Sequence, residues 1–254
     1  MDIKKACLEL FLKNCVANYL KFTGEEKFPN YQLIPKRLTT SKADSQGFDS
    51  MAATYYDLKT GSHRLEVWED AYLPQLNAKY LIFHEFTHIM DAEKYSQKDK
   101  IKHMSNKGYT EYHAAQIDFL QLLGADNTQS AFAFSMKDTF ETIGGTKTAK
   151  QFLEMPHSHA SALIERSDFP ANLETLAVTL GLIFNYYGRR SICKMYASDY
   201  SESVDNSSIA KLIREDTVQA LNAYMLGWFD DSKVAMLDML YYKMVISLAN
   251  KYHL

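Results

Sequence analysis

Apolar residues recur along most of this chain at the three- and four-residue spacing of a helix. Leu8, Phe11, Leu12, Cys15 and Tyr19 share one face of a predicted helix over about residues 3–22, ending near Gly24. A polar, irregular segment follows over 23–48, with Pro29 and Pro35 inside it. The period then falls to two over 51–58 and 63–69, where Leu65 and Val67 alternate with Arg64, Glu66 and Trp68. Lys59-Thr60-Gly61-Ser62 between these runs reads as a hairpin turn. Helical period resumes behind Pro74, with Leu76, Tyr80, Phe83, Thr87 and Met90 on one side. The charged stretch 93–107 reads as a solvated connection, and Gly108 precedes a strong helix over about 109–123, closed by Gly124. Further helices are predicted near 130–143, 146–155, 158–166, 170–187, 208–226 and 232–252. Gly144-Gly145, Pro156, Gly188 and Gly227 are the expected breaks.

This order of elements predicts an α+β fold that is predominantly helical, with a small antiparallel sheet beside one helix and a helical C-terminal half. No internal repeat and no long linker divides the chain. Residues 1–254 therefore read as a single domain, with about 126–254 a helical part packed on about 1–125.

Composition narrows the function classes. The net charge of -3 argues against broad attraction to nucleic acid. Arg189-Arg190 is the most basic dipeptide to consider, and it reads as a solvated helix end. Cys7, Cys15 and Cys193 are odd in number and scattered, which does not suit a disulfide framework. Glu9, Lys13 and Asn14 interrupt the apolar run behind Lys4-Lys5, and no small-residue cleavage site follows. No stretch reaches the roughly 18 apolar residues of a membrane span. A soluble, cytoplasmic protein without a membrane span is the expectation.

The candidate chemistry lies in His84-Glu85-Phe86-Thr87-His88. Two histidines four apart on a helix project from one face, so their ring nitrogens can take two corners of a zinc tetrahedron. Glu85 leans beside that metal rather than onto it. A carboxylate there can take a proton from water and hand it to a leaving amine. Apolar Leu81-Ile82-Phe83 and Ile89-Met90 flank the motif, as in a buried helix turning a few polar groups toward a cleft.

A hairpin leading into an HExxH helix resembles the zincin metallopeptidase fold, in which an edge strand beside the helix holds extended substrate. The likeness rests on His84–His88 and on 51–69, and it extends over about 50–123. Asp91 and Lys94 stand where the metzincin pattern would place a Gly and a third His, so that branch drops out. Glu111, 23 residues after His88 in the first turn of the next helix, is similar to the third ligand of the gluzincins. His113 and Asp91 remain rivals for that corner. Ala114 and Ala115, one turn on, would let the motif helix approach. Ala115 also occupies the place of the thermolysin-like Asp, so support for a histidine ligand must come from elsewhere. Short HExxH proteins of the ImmA/IrrE-like group share the same minimal pattern.

The resemblance implies a zinc peptidase acting on a peptide or protein substrate, with His84, His88 and Glu111 as ligands and Glu85 as base. The alternative is a catalytically silent, zincin-like binding or scaffolding protein. Tyr109, Tyr112, His157 and His159 are open candidates for the oxyanion donor. His157-Ser158-His159 reads as a polar loop or cap, and Phe184–Tyr187 as core.

Overall fold

The computed structural model describes residues 3–37 and 51–254. Part of the segment read as irregular, residues 38–48, lies outside them. The fold is α+β and predominantly helical. Helix α1 (Ile3–Thr23) buries Leu8, Leu12, Cys15 and Tyr19, the face read from the sequence. Strands β1 (Tyr31–Lys36), β2 (Ala52–Tyr56) and β3 (His63–Trp68) form one sheet in the order β1-β3-β2. Leu65 and Val67 are fully buried, and His63 shares their face.

This sheet is mixed rather than antiparallel. β2 pairs antiparallel with β3 through the expected hairpin, but β1 pairs parallel with β3, Tyr31 opposite His63. β1 sits in the stretch read as irregular, because Pro35 argues against a central strand. In the structure the strand carrying Pro35 lies at one end of the sheet, where a missing N–H is tolerated.

Pro74 opens a short turn of 3-10 helix, and α2 (Lys79–Asp91) carries the motif. Five further residues, Ala92–Ser96, continue α2 as a π-turn. The charged stretch is more ordered than its composition suggests. Asp99 caps α3 (Lys100–Ser105) by accepting from the backbone N–H of Ile101 and Lys102. Helix α4 (Lys107–Leu122) packs on α2 on one side and on α6 (Leu173–Tyr196) on the other.

The C-terminal half departs from the predicted breaks. Residues 130–143 do not form a helix; they hold an open loop and strand β4 (Thr139–Thr142), paired with β5 (Gly145–Thr148) around Gly144-Gly145. Phe134 and Phe140 pack on Phe119. Thr148 then caps α5 (Ala149–Ile164) in a reciprocal pair of hydrogen bonds with Gln151.

Pro156 sits inside α5 without ending it. A proline there offers no N–H to the carbonyl four residues back, that of Phe152. Arg189 Nη1 donates to that carbonyl at 2.8 Å, so the lost bond is replaced. Gly188 likewise lies within α6. It is a point of close approach: a Cβ there would stand 2.2 Å from the Tyr112 carbonyl oxygen and 2.8 Å from Ala115 Cβ. The small residues of α4 thus admit α6 at this point.

Arg189 and Arg190 are buried, not a solvated end. Arg190 makes a two-pronged pair with Glu202, at 2.5 and 2.9 Å. The predicted helix over 208–226 is two, α7 (Ser207–Ile213) and α8 (Glu215–Tyr224), divided at Arg214, whose φ is 75°. Helix α9 (Asp231–Tyr252) closes the chain. No helix among the described residues is long and apolar enough to cross a membrane.

Candidate metal centre

The face of α2 that carries His84 and His88 turns toward α4, and its neighbour Glu85 turns toward β2. One potential ligand atom from each of His84, Glu85 and His88 lies within 4.8 Å of the other two, a group that could hold a metal ion. The two imidazoles meet edge to face, with centroids 4.7 Å apart. Glu111 completes the surround from the first turns of α4. Its Oε2 lies 3.7 Å from Nε2 of His84 and 3.8 Å from Nε2 of His88. Donors at the corners of a metal tetrahedron with bonds of about 2.0–2.1 Å stand roughly 3.4 Å apart, so the two separations from Glu111 exceed that spacing by only a few tenths of an ångström.

The remaining ring nitrogens are engaged. Nδ1 of His84 lies 2.9 Å from Oδ2 of Asp118, and Nδ1 of His88 lies 2.8 Å from Oγ1 of Thr110. An Nδ1–H donated in each case would leave both Nε2 atoms free for a metal ion. Asp118 is in turn held by Arg189, whose Nη2 lies 3.2 Å from the same Oδ2. Arg189 lies flat over the Phe152 ring at 3.6 Å and donates to the Phe152 carbonyl. A buried line of contacts therefore runs from the carbonyl beside Pro156, through Arg189 and Asp118, to His84.

Glu85 is held apart from this line. Thr54 Oγ1 on β2 donates to its Oε2 at 3.0 Å, fixing the carboxylate beside the histidines. A Cβ on Gly181 of α6 would come within 3.4 Å of the Glu111 carboxyl group, so a glycine leaves that side chain its room.

The electrostatics fit a cation. Burial disfavours charge on His84, but the carboxylates of Asp118 and Glu111 outweigh it and hold its pKa up at about 10. Burial pushes His88 down to about 3 despite Glu111, and the neighbouring His84 charge adds to the fall. Burial alone would raise Glu111, yet the two histidines hold it down at about 2. Burial raises the Glu85 carboxyl above its ordinary value. Three carboxylates, Glu85, Glu111 and Asp118, thus surround two imidazoles and face one guanidinium. A divalent metal ion at the Nε2 atoms would take the place of the proton that these carboxylates hold on His84.

The rival ligands go elsewhere. His113 and Asp91 pair with each other, Nδ1 lying 3.1 Å from both carboxylate oxygens. They line a cavity of about 830 Å³ that none of His84, Glu85, His88 and Glu111 lines. Tyr112 and His157, two of the open oxyanion candidates, are engaged elsewhere. Tyr109 stacks on His113, Tyr112 donates to the Gly227 carbonyl at 2.5 Å, and His157 Nε2 lies 3.0 Å from Asn206 Oδ1. His159 is exposed on α5.

Sequence reasoning missed four groups here: Thr54, Thr110, Asp118 and Lys107. Asp118 had a signal, since it stands seven residues after Glu111, two helical turns along the same face of a mostly buried helix. Lys107, one turn before Glu111, is exposed, and its positive charge acts on Glu85, His88 and Glu111 together.

No model of a known protein family matches the chain, and neither a curated protein nor a solved structure matches it.

Proposed function

We propose that this chain is a zinc-dependent peptidase of the gluzincin kind, with His84, His88 and Glu111 as ligands and Glu85 as general base and acid. The observation that carries the reading is the position of Glu111 Oε2, 3.7 and 3.8 Å from two imidazole nitrogens whose partner nitrogens are already hydrogen-bonded. Two nitrogens and one carboxylate are the donor set of catalytic zinc sites, whereas structural sites use four protein ligands and favour cysteine.

Zinc held there supplies Lewis acidity to a water and to a substrate carbonyl. The chain's own residues do the rest. Asp118 and Thr110 hold the imidazoles with Nε2 outward. Thr54 keeps the Glu85 carboxylate beside the site without neutralising it. Glu85 accepts a proton from the attacking water and delivers it to the amine nitrogen as the peptide bond breaks. Burial raises its affinity for that proton, which suits a group that must take it and return it. The Lys107 ammonium, whose field reaches these side chains, stabilises negative charge developing on the carbonyl oxygen. β2, the strand that carries Thr54, lies at one end of the described sheet. An extended substrate added along it would run past Glu85.

The test is cleavage of a mixed peptide library by zinc-loaded protein. Cleavage that a chelator abolishes and zinc restores supports the reading. A zinc-loaded protein that cuts no peptide in a broad library points instead to the silent binding protein.

A further inference from the structure

One cavity has no part in the chemistry above. It holds about 830 Å³ and lies between α1's end, the β2–β3 turn, the end of α2, α4 and the loop before α9. That volume suits a sizeable ligand rather than water alone. One part of its lining is a connected aromatic wall. Tyr109 contacts Tyr95 edge-on at 5.4 Å and stacks on His113 at 5.4 Å and on Phe229 at 6.2 Å; Trp228 meets His113 edge-on at 6.3 Å.

This wall is fixed in advance. Both carboxylate oxygens of buried Asp91 hold the His113 ring. The Tyr95 hydroxyl donates to Asp231. The loop bearing Trp228 is tied at Gly227, whose carbonyl accepts from Tyr112 Oη and from Gln116 Nε2 at 2.9 Å. Gly227 adopts a φ of 68°, a turn that admits few other residues. The indole N–H of Trp228 donates to nothing among the described residues, although a partly buried indole normally finds an acceptor.

Much of the rest of the lining is uncharged or already paired. Asn30, Thr60, Ser62 and Gln129 contribute hydroxyl and amide groups. Asp91 is taken by His113, Glu93 by His63 and Lys94 by Asp231. Glu25 and Lys27 remain, one of each sign. With side chains of both signs in its lining, the cavity favours a ligand without strong net charge, with apolar faces and exposed acceptors. A flat aromatic ring meets the first demand but offers few acceptors. A polyproline II segment meets both: its pyrrolidine faces are apolar, and none of its carbonyls is hydrogen-bonded internally. An aromatic groove with a free donor is the recognised way to hold such a segment.

We propose that this cavity is a docking groove for a proline-rich polypeptide segment, with Trp228 Nε1 donating to one of its carbonyls. It deepens the peptidase reading by giving the substrate a second contact, but binding here needs neither metal nor cleavage.

The test uses the full chain as the Glu85→Gln, Trp68→Phe variant, which cuts nothing and keeps Trp228 as its one remaining tryptophan. An oligoproline of about ten residues is titrated against its emission, beside a glycine-serine peptide of equal length and the neutral disaccharide cellobiose. We expect a saturable blue shift with oligoproline alone. Calorimetry on Trp228→Phe, which keeps an aromatic ring and removes the donor, should show about tenfold weaker binding, roughly 1.4 kcal/mol. No saturation by oligoproline, an equal response to the glycine-serine peptide, or saturation by cellobiose in its place would each overturn the proposal. Because the variant is cleavage-dead by design, such a failure leaves the peptidase test untouched.

Discussion

Asp118 stands 2.9 Å from the Nδ1 of His84, and that contact places the charge of a fully buried carboxylate directly behind a candidate metal ligand. The imidazole is thereby fixed in plane and made a better donor. Asp118→Asn keeps the shape and removes the charge. It should weaken zinc binding by about 10- to 100-fold, read by competition with a chromophoric chelator. Unchanged affinity would mean that the contact only fills space.

Arg189 is the other side of the same pair. Its side chain is 7% exposed and that of Asp118 is 1% exposed, so removing one leaves a buried, unmatched charge. Arg189→Met should cost about 3–5 kcal/mol of stability in urea unfolding. Asp118 Oδ1 and Arg189 Nε take no partner among the described residues. A pair built for stability alone would satisfy both, so the arrangement reads as one that positions His84.

Pro156 extends this line by one step. Pro156→Ala restores an N–H that competes for the Phe152 carbonyl now held by Arg189. The helix should gain about 1 kcal/mol while zinc affinity falls about threefold. Stability and affinity moving together would contradict the linkage.

Gly188 sets how closely α4 and α6 meet. Its added Cβ would collide with the Tyr112 backbone, which cannot rotate away. Gly188→Ala should therefore cost about 3 kcal/mol, measured as a fall in the denaturation midpoint. The helix carrying Glu111 would shift with it, and metal affinity should drop in the same variant.

A pH dependence follows from Asp238 on α9. Burial lifts its carboxyl to about 6, against the hydrogen bond that Asn106 offers. The folded state binds this proton more tightly than the unfolded chain does. Asp238 therefore weakens the fold as pH rises from about 4 through 6, and the cost is then constant. Partial exposure screens the effect to about 1 kcal/mol at pH 7. Asp238→Asn should raise the melting temperature at pH 7 and change little at pH 4. An equal gain at both pH values would remove charge burial as the cause.

The sequence carried the motif because its geometry is local. His84, Glu85 and His88 need only a helix, and Glu111 needs only the start of the next long one. Asp118, Thr54 and Thr110 act across elements, and no spacing along the chain pairs Asp118 with His84. Arg189 was misread because an Arg-Arg pair is ordinarily solvated. Its burial depends on a carboxylate 71 residues earlier and on a carbonyl vacated by a proline. The same proline was read as a helix end, since nothing in the local sequence shows that an arginine would replace the missing donor. The helix predicted over 130–143 failed for a related reason: Phe134 and Phe140 pack against Phe119 of another helix, a contact no local pattern shows.

The central claim is that Glu85 moves the proton while His84, His88 and Glu111 hold the metal. The most direct measurement pairs zinc stoichiometry with peptide-library cleavage for the wild type, Glu85→Gln and Glu111→Ala. One zinc per chain and chelator-sensitive cleavage are expected in the wild type. Glu85→Gln should hold one zinc and cut nothing, and Glu111→Ala should bind zinc more weakly. Full cleavage by Glu85→Gln, or loss of zinc from Glu85→Gln with zinc retained in Glu111→Ala, would contradict the claim.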